Sequence, residues 1–337
     1  MNKNEKTAEW GNIPRNYLLK KAVLDNTYKF CRAILLFGLC FLILQPILDK
    51  ISVSFMDQQD LYDSTVISIP RNFTLNNYTL AASERLLDYW PSLFQTLVIV
   101  LSSAILQIAA CTMAGYAFAR FKFPLKNFWF MCVMLIIIVP PHTIMSSLYL
   151  NFRFFDVLGL FRLIFGSPLN LLNSVAGLLL LSATGMGLKS GLYIFMLRQY
   201  FRGMPKELEE AAWVDGCGRF KTFIRIMLPD AAPVLTSCFL FSFVWQWTDS
   251  FYMNLFLSNH KMLSRGLSGL AERFSSYWAS ITVASGSLSG VSAYAPVGLT
   301  QMMIATGMLM CLAPLIILYL VAQKAFVESL SQTGIKM

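Results

Sequence analysis

Long apolar blocks alternate with shorter polar stretches along the whole chain. A helix that crosses a bilayer needs about 20 mostly apolar residues. Six blocks qualify: 33–48, 93–119, 128–147, 174–197, 231–257 and 301–325. The pattern predicts an all-α, polytopic membrane protein with six transmembrane helices. Residues 33–325 form the membrane domain, between a polar N-terminal segment, 1–32, and a short tail, 326–337. Within the blocks, Pro46 leaves the outer end of the first open, and Val139-Pro140-Pro141-His142 predicts a kink or hinge in the third. Gly185, Gly187 and Gly191 surround Lys189 and predict a helix break in the fourth.

Composition agrees with a lipid solvent. The 337 residues are 56% hydrophobic and 13% charged, too few charges to cover a soluble domain of this length. The net charge of +9 raises the question of nucleic acid, but the basic residues follow topology. They concentrate before the first block (Lys3 to Arg32), after the second (Arg120, Lys122, Lys126), from Arg198 to Arg225, and at Lys324 and Lys336. The richer side is cytoplasmic. Both termini and the 203–229 loop are therefore placed inside, and the segments 50–91, 148–173 and 258–300 outside, with no nucleic-acid partner. The first thirty residues are polar and basic, so the first block reads as an uncleaved anchor. Seven cysteines show no metal-site spacing, and no disulfide is expected.

The 203–229 loop carries the most chemistry. Pro205 suits the first position of a helix, and Glu207, Glu209 and Glu210 suit its positive end. Ala211 and Ala212 are small enough for a partner to approach closely. Gly216 and Gly218 end the helix. A second short helix carries Phe220, Phe223, Ile224 and Met227, and Pro229 marks the start of the next membrane helix. The predicted unit is a helix–turn–helix at the cytoplasmic surface. On physics alone it serves equally as a headgroup anchor or as a docking surface.

The spaced pattern Glu210-Ala211-Ala212, Gly216, Ile226-Met227-Leu228-Pro229 resembles the EAA loop of permease subunits of binding-protein-dependent ABC importers. The stretches 115–120, 197–202, 205–209 and 243–247 extend the likeness to the carbohydrate-type permeases, similar to the smaller membrane subunit of the maltose importer. The resemblance implies a heterodimer with a second permease, two ATPase subunits and an external solute-binding protein. The ATPase would grip Glu210, Ala211, Ala212, Gly216, Phe220, Phe223, Ile226, Leu228 and Pro229. It would use ATP and magnesium itself, so this chain binds no cofactor. Residues 156–191 and 258–300 are longer than the family pattern.

Other features are candidate sites. Gly185-Met186-Gly187-Leu188-Lys189-Ser190-Gly191 lacks the spacing of a phosphate loop, so no ATPase site and no enzyme activity are expected in this chain. Lys189 is ionisable within a membrane segment, which points to a cavity or pathway role or to snorkelling. Ser242, Trp245, Asp249 and Tyr252 recur at helical spacing and predict one polar, aromatic face. That face suits a sugar pathway or an interfacial aromatic belt. A direct Lys189–Asp249 pair is not expected, because the two lie at different depths. The alternative function is an ion-coupled secondary transporter, against which Asp249 as the one clear intramembrane carboxylate and the lack of repeats both weigh.

Overall fold

The computed structural model describes residues 15–63, 65–66, 69–284 and 295–334. The ends of the predicted terminal segments, including Lys3, Lys6 and Lys336, and part of the 258–300 segment lie outside the described residues. Among the described residues the chain is helical, and β structure is limited to two isolated bridges. It divides into two units, Met1–Thr74 and Leu75–Met337.

The first unit is built on α1, Arg15–Ser54, which is apolar on all sides over its central turns. Pro46 does not end it. A short motif follows, in which Asp60 accepts hydrogen bonds from the backbone N–H groups of Arg71 and Asn72, both at 2.8 Å. Phe55 stacks on Phe73 at 4.7 Å between ring centres.

The second unit is organised around α2, Tyr89–Arg120. Next come α3, Lys126–Ile138, and α4, Pro141–Arg153, which meet at 103°. The expected single third span is therefore two segments. Val139 and Pro140 are extended at the break (ψ 120° and 136°), because proline supplies no N–H and restricts the residue before it. The predicted fourth span is also two helices, α5, Val175–Ala183, and α6, Ser190–Gly203. The loop helices are α7, Glu207–Val214, and α8, Arg219–Asp230. They lead into α9, Ala232–Thr248, and the short α10, Phe251–Phe256. The last long helix is α11, Val297–Gly334, with Pro314 inside it.

Three described helices are long and apolar enough to cross a membrane, at Val23–Ser54, Tyr89–Arg120 and Val297–Lys324. Counting α3 with α4 and α8 with α9 as spans raises this to five. α5 and α6, of 9 and 14 residues, are each too short to cross a membrane alone.

α2 packs against α5, α6 and α9. It lies tight against α6 at Gly115, where a Cβ would be 2.8 Å from Leu197 Cβ and 3.1 Å from the Arg198 nitrogen. Only a hydrogen side chain fits. Two apolar clusters result. One gathers Ile99, Phe152, Trp247 and Phe256. The other gathers Tyr116, Tyr193, Leu197, Phe201, Met227 and Cys238, and carries the 203–229 loop.

Candidate functional site: the inner loop and the mid-span junction

The loop begins where α6 ends. Pro205 precedes α7 instead of opening it, and Lys206 takes the cap position. α7 ends in a Schellman motif. The Cys217 N–H donates to the Ala212 carbonyl at 2.9 Å, and the Gly216 N–H donates to the Trp213 carbonyl at 3.1 Å. This turn requires the left-handed backbone of Gly216, φ +80°. No atom lies within 4 Å of where a Gly216 Cβ would stand, so glycine is needed for conformation and not for space.

α8 contains one widened π turn at Phe223–Met227. It then meets α9 at 76°. The bend falls at Ala231, and Pro233 sits in the first turn of α9. The membrane helix thus starts after Pro229, which lies inside α8.

The loop is tied to the membrane helices by a residue outside the expected docking set. Glu209 is buried, and its Oε1 accepts from Tyr116 Oη at 2.9 Å. Arg120 Nε lies 3.4 Å from the same oxygen, an ion-pair contact outside hydrogen-bond geometry. The Arg120 guanidinium also donates to the Met204 carbonyl at 2.8 Å. Tyr116 packs at a tilt against Phe223, at 4.7 Å between ring centres, and edge-on to Phe201. One turn of α2 therefore holds α7, α8 and the end of α6 together. The 115–120 and 205–209 stretches stand out in the sequence. Their partnership does not, because nothing in one stretch points to the other.

The expected docking residues divide into three groups. Glu210, Ala211, Gly216, Phe220 and Pro229 are exposed, Phe220 at 75%. Phe223, Ile226 and Leu228 are partly buried. Ala212 and Met227 are buried, at 3% and 0% exposure, so neither belongs to an accessible face. Ala212 is small because the chain's own core covers it. Val214, 87% exposed, extends the accessible apolar face and was not among the residues expected there.

At mid-span, a polar network joins α2, α9 and the α5–α6 break. Gln107 Nε2 donates to the Leu188 carbonyl and to Ser190 Oγ, both at 2.7 Å. Its Oε1 accepts from Ser242 Oγ and from Gln246 Nε2, both at 2.7 Å. Ser103 and Ser182 share a 2.5 Å hydrogen bond one turn away. Gly187 leaves room for Gln107, since a Cβ there would lie 3.0 Å from Gln107 Nε2. The break begins with a second Schellman motif, at Gly185 (φ +69°). Gln107 in the second block and Gln246 in the fifth are the sequence signal for this network: amides deep inside apolar blocks.

The predicted stripe on the fifth block does not form one face. α9 stops at Thr248. Ser242 points into the Gln107 network, whereas Trp245 on the next part of the turn is 46% exposed. Asp249 accepts from the Phe251 and Tyr252 N–H groups and so caps α10. Tyr252 is buried against Phe256. Lys189 and Trp245 do come together, with the ammonium 5.1 Å from the ring centre. No Lys189–Asp249 ion pair occurs among the described residues.

On the face opposite the loop, Lys261 donates to Asp88 at the start of α2. That hydrogen bond, and then the carboxylate charge, raise the Lys261 ammonium above the ordinary lysine value.

The chain is similar to a probable ABC transporter permease protein of Pyrococcus horikoshii, at 32% identity over 56% of this chain and 63% of that protein. It is 26% identical to the arabinooligosaccharides transport system permease protein AraQ of Halalkalibacterium halodurans, over 88% of this chain and 93% of that one. A solved bacterial ABC transporter involved in the import of the acidic polysaccharide alginate shares the fold. The TM-score is 0.65 over 94% of this chain and 99% of that chain, at 18% identity. Residues 110–332 match the family described as binding-protein-dependent transport system inner membrane component. That stretch holds the tyrosine–arginine anchor, the whole loop and the α5–α6 break, and this multi-pass membrane protein belongs to that family.

Proposed function

We propose that this chain is one of two permease subunits of an ATP-driven importer, and that it moves a sugar or oligosaccharide delivered by an external solute-binding protein. A separate ATPase docks on the 203–229 loop and uses ATP and magnesium there. The chain crosses the membrane six times, with α5 and α6 together as the fourth span and both termini in the cytoplasm. The observation that carries the reading is the Glu209 anchor. α7 is fixed to α2 by Tyr116 and Arg120, while Glu210, Ala211 and Phe220 face outward from the same unit. A partner that displaces the exposed face moves α2 and α6 with it. The relatives named for sugar transport support the solute class.

The test is purification of the tagged chain from native membranes in mild detergent, with co-purifying proteins identified. An ATPase and a second permease should appear, and the ATPase should be lost when Ala211 is replaced by Trp. A homo-oligomer without ATPase, under conditions that preserve other ABC complexes, would instead support the ion-coupled alternative.

A further inference from the structure

Lys189 is held beside the middle turns of α2. The residues on both sides of it, Leu188 and Ser190, are hydrogen-bonded to Gln107. At about 1.5 Å per residue, Gln107 lies about 20 Å along α2 from Arg120 and about 27 Å from Tyr89. The hydrocarbon core is about 30 Å thick, so either interface is about 15 Å away. An extended lysine side chain reaches only about 6 Å, and snorkelling does not bring this ammonium to water. It lies instead over the Trp245 ring.

Lys189 is exposed, and no carboxylate pairs with it among the described residues. The acid expected within the fifth span, Asp249, spends its oxygens on the α10 backbone. A cation at this depth faces a water-filled or ligand-filled space, since lipid gives it no compensation. Trp245 remains about half exposed, which leaves ring surface for another group. A lysine ammonium beside an open indole face is the chemistry that holds an acidic sugar. The ammonium takes the anionic group and the ring takes the apolar face of the sugar.

We propose that Lys189 and Trp245 form a mid-membrane subsite for a sugar bearing a carboxylate or phosphate, so that the imported solute is anionic. This rests on the sugar-importer reading above and narrows it. A charged contact of this kind is worth about tenfold or more in binding.

The experiment uses cells expressing the complete importer, given a pool of oligogalacturonides, hexose phosphates and neutral malto- and arabino-oligosaccharides. Accumulated solutes are identified by mass spectrometry. The expected result is uptake of an acidic member of the pool by the wild type. Lys189→Gln should lower that uptake about tenfold, Lys189→Arg should retain most of it, and the purified complex should keep its subunit composition in both. Uptake of neutral members alone overturns the anionic subsite and leaves the sugar importer standing. Acidic uptake unchanged in Lys189→Gln also overturns it. Loss of the second permease from the Lys189→Gln complex overturns it in favour of an ion pair across the subunit boundary. No sugar uptake by the wild type overturns the sugar reading and the subsite together.

Discussion

The loop anchor and the α5–α6 junction are both places where a helix ends on a glycine Schellman cap and another begins, yet they are held by opposite chemistry. At the loop, Gly216 ends α7 and a buried carboxylate–guanidinium–phenol cluster fixes the unit to α2. At mid-span, Gly185 ends α5, and neutral amides and hydroxyls around Gln107 close the break. A buried ion pair is costly to separate, and neutral hydrogen bonds inside a membrane protein are individually modest. The difference suits force entering at a rigid point and a break that changes shape at small cost.

The largest expected effect is at the anchor. Glu209→Ala leaves the nearly buried Arg120 charge without its partner and should destabilise the chain by about 3–5 kcal/mol. It should also release the ATPase. Thermal aggregation of the purified chain in detergent measures the first, and co-purification the second. Replacing both charges, as in Arg120→Met with Glu209→Leu, should recover stability without recovering ATPase-driven uptake. Wild-type stability in Glu209→Ala would sink the anchor.

Gly115→Leu should follow, at about 1–3 kcal/mol, because its side chain would enter the backbone of α6 at Leu197 and Arg198. Its effect belongs to the α2–α6 contact alone. The same substitution at Gly203, where nothing lies within 4 Å of the Cβ position, should change thermal stability much less. Leucine is the better helix former, so equal losses at the two positions would mean that the close approach to α6 does not explain Gly115.

Gln107→Leu tests the other side of the comparison. It removes the acceptor of Ser242 and Gln246 and the donor to Leu188. Intramembrane hydrogen bonds average about 0.6 kcal/mol each, so losing the four bonds of Gln107 should cost somewhat more than about 2 kcal/mol. The ATPase should remain bound while uptake falls. Simultaneous loss of the ATPase would show that the two regions act as one unit.

These contrasts explain what was legible beforehand. Apolar blocks identify membrane helices because lipid imposes a length and a polarity on each. Both glycine turns are readable because a left-handed residue can be recognised locally. Bends at Val139-Pro140 and around Lys189 follow from the same local rules. Long-range partnerships are a different matter. Glu209 resembles any acidic residue in the first turn of a helix until Tyr116 and Arg120 fold over it. Ala212 looks like an approach surface until the chain covers it. The Ser242–Trp245–Asp249–Tyr252 stripe assumed one continuous helix, and Asp249 ends that helix to cap the next.

The smallest expected effect is at Gly216. An alanine there meets no neighbour, so its cost is the left-handed backbone alone, about 1–2 kcal/mol. Gly216→Asn should cost less, because asparagine tolerates that conformation. Either substitution loosens the Cys217–Ala212 and Gly216–Trp213 hydrogen bonds without touching the Glu209 anchor. Amide exchange should therefore rise at residues 212–218 and stay protected at Glu209 and Glu210, whose N–H groups bond to the Lys206 carbonyl. Uptake should fall in the order wild type, Asn, Ala. A wild-type rate in Gly216→Ala, with faster exchange at the turn, would show that the ATPase grips α7 through its anchored end and does not need the turn. Faster exchange spreading to Glu209 would show that anchor and turn open together, and the rigid point of force transfer would then be the whole loop.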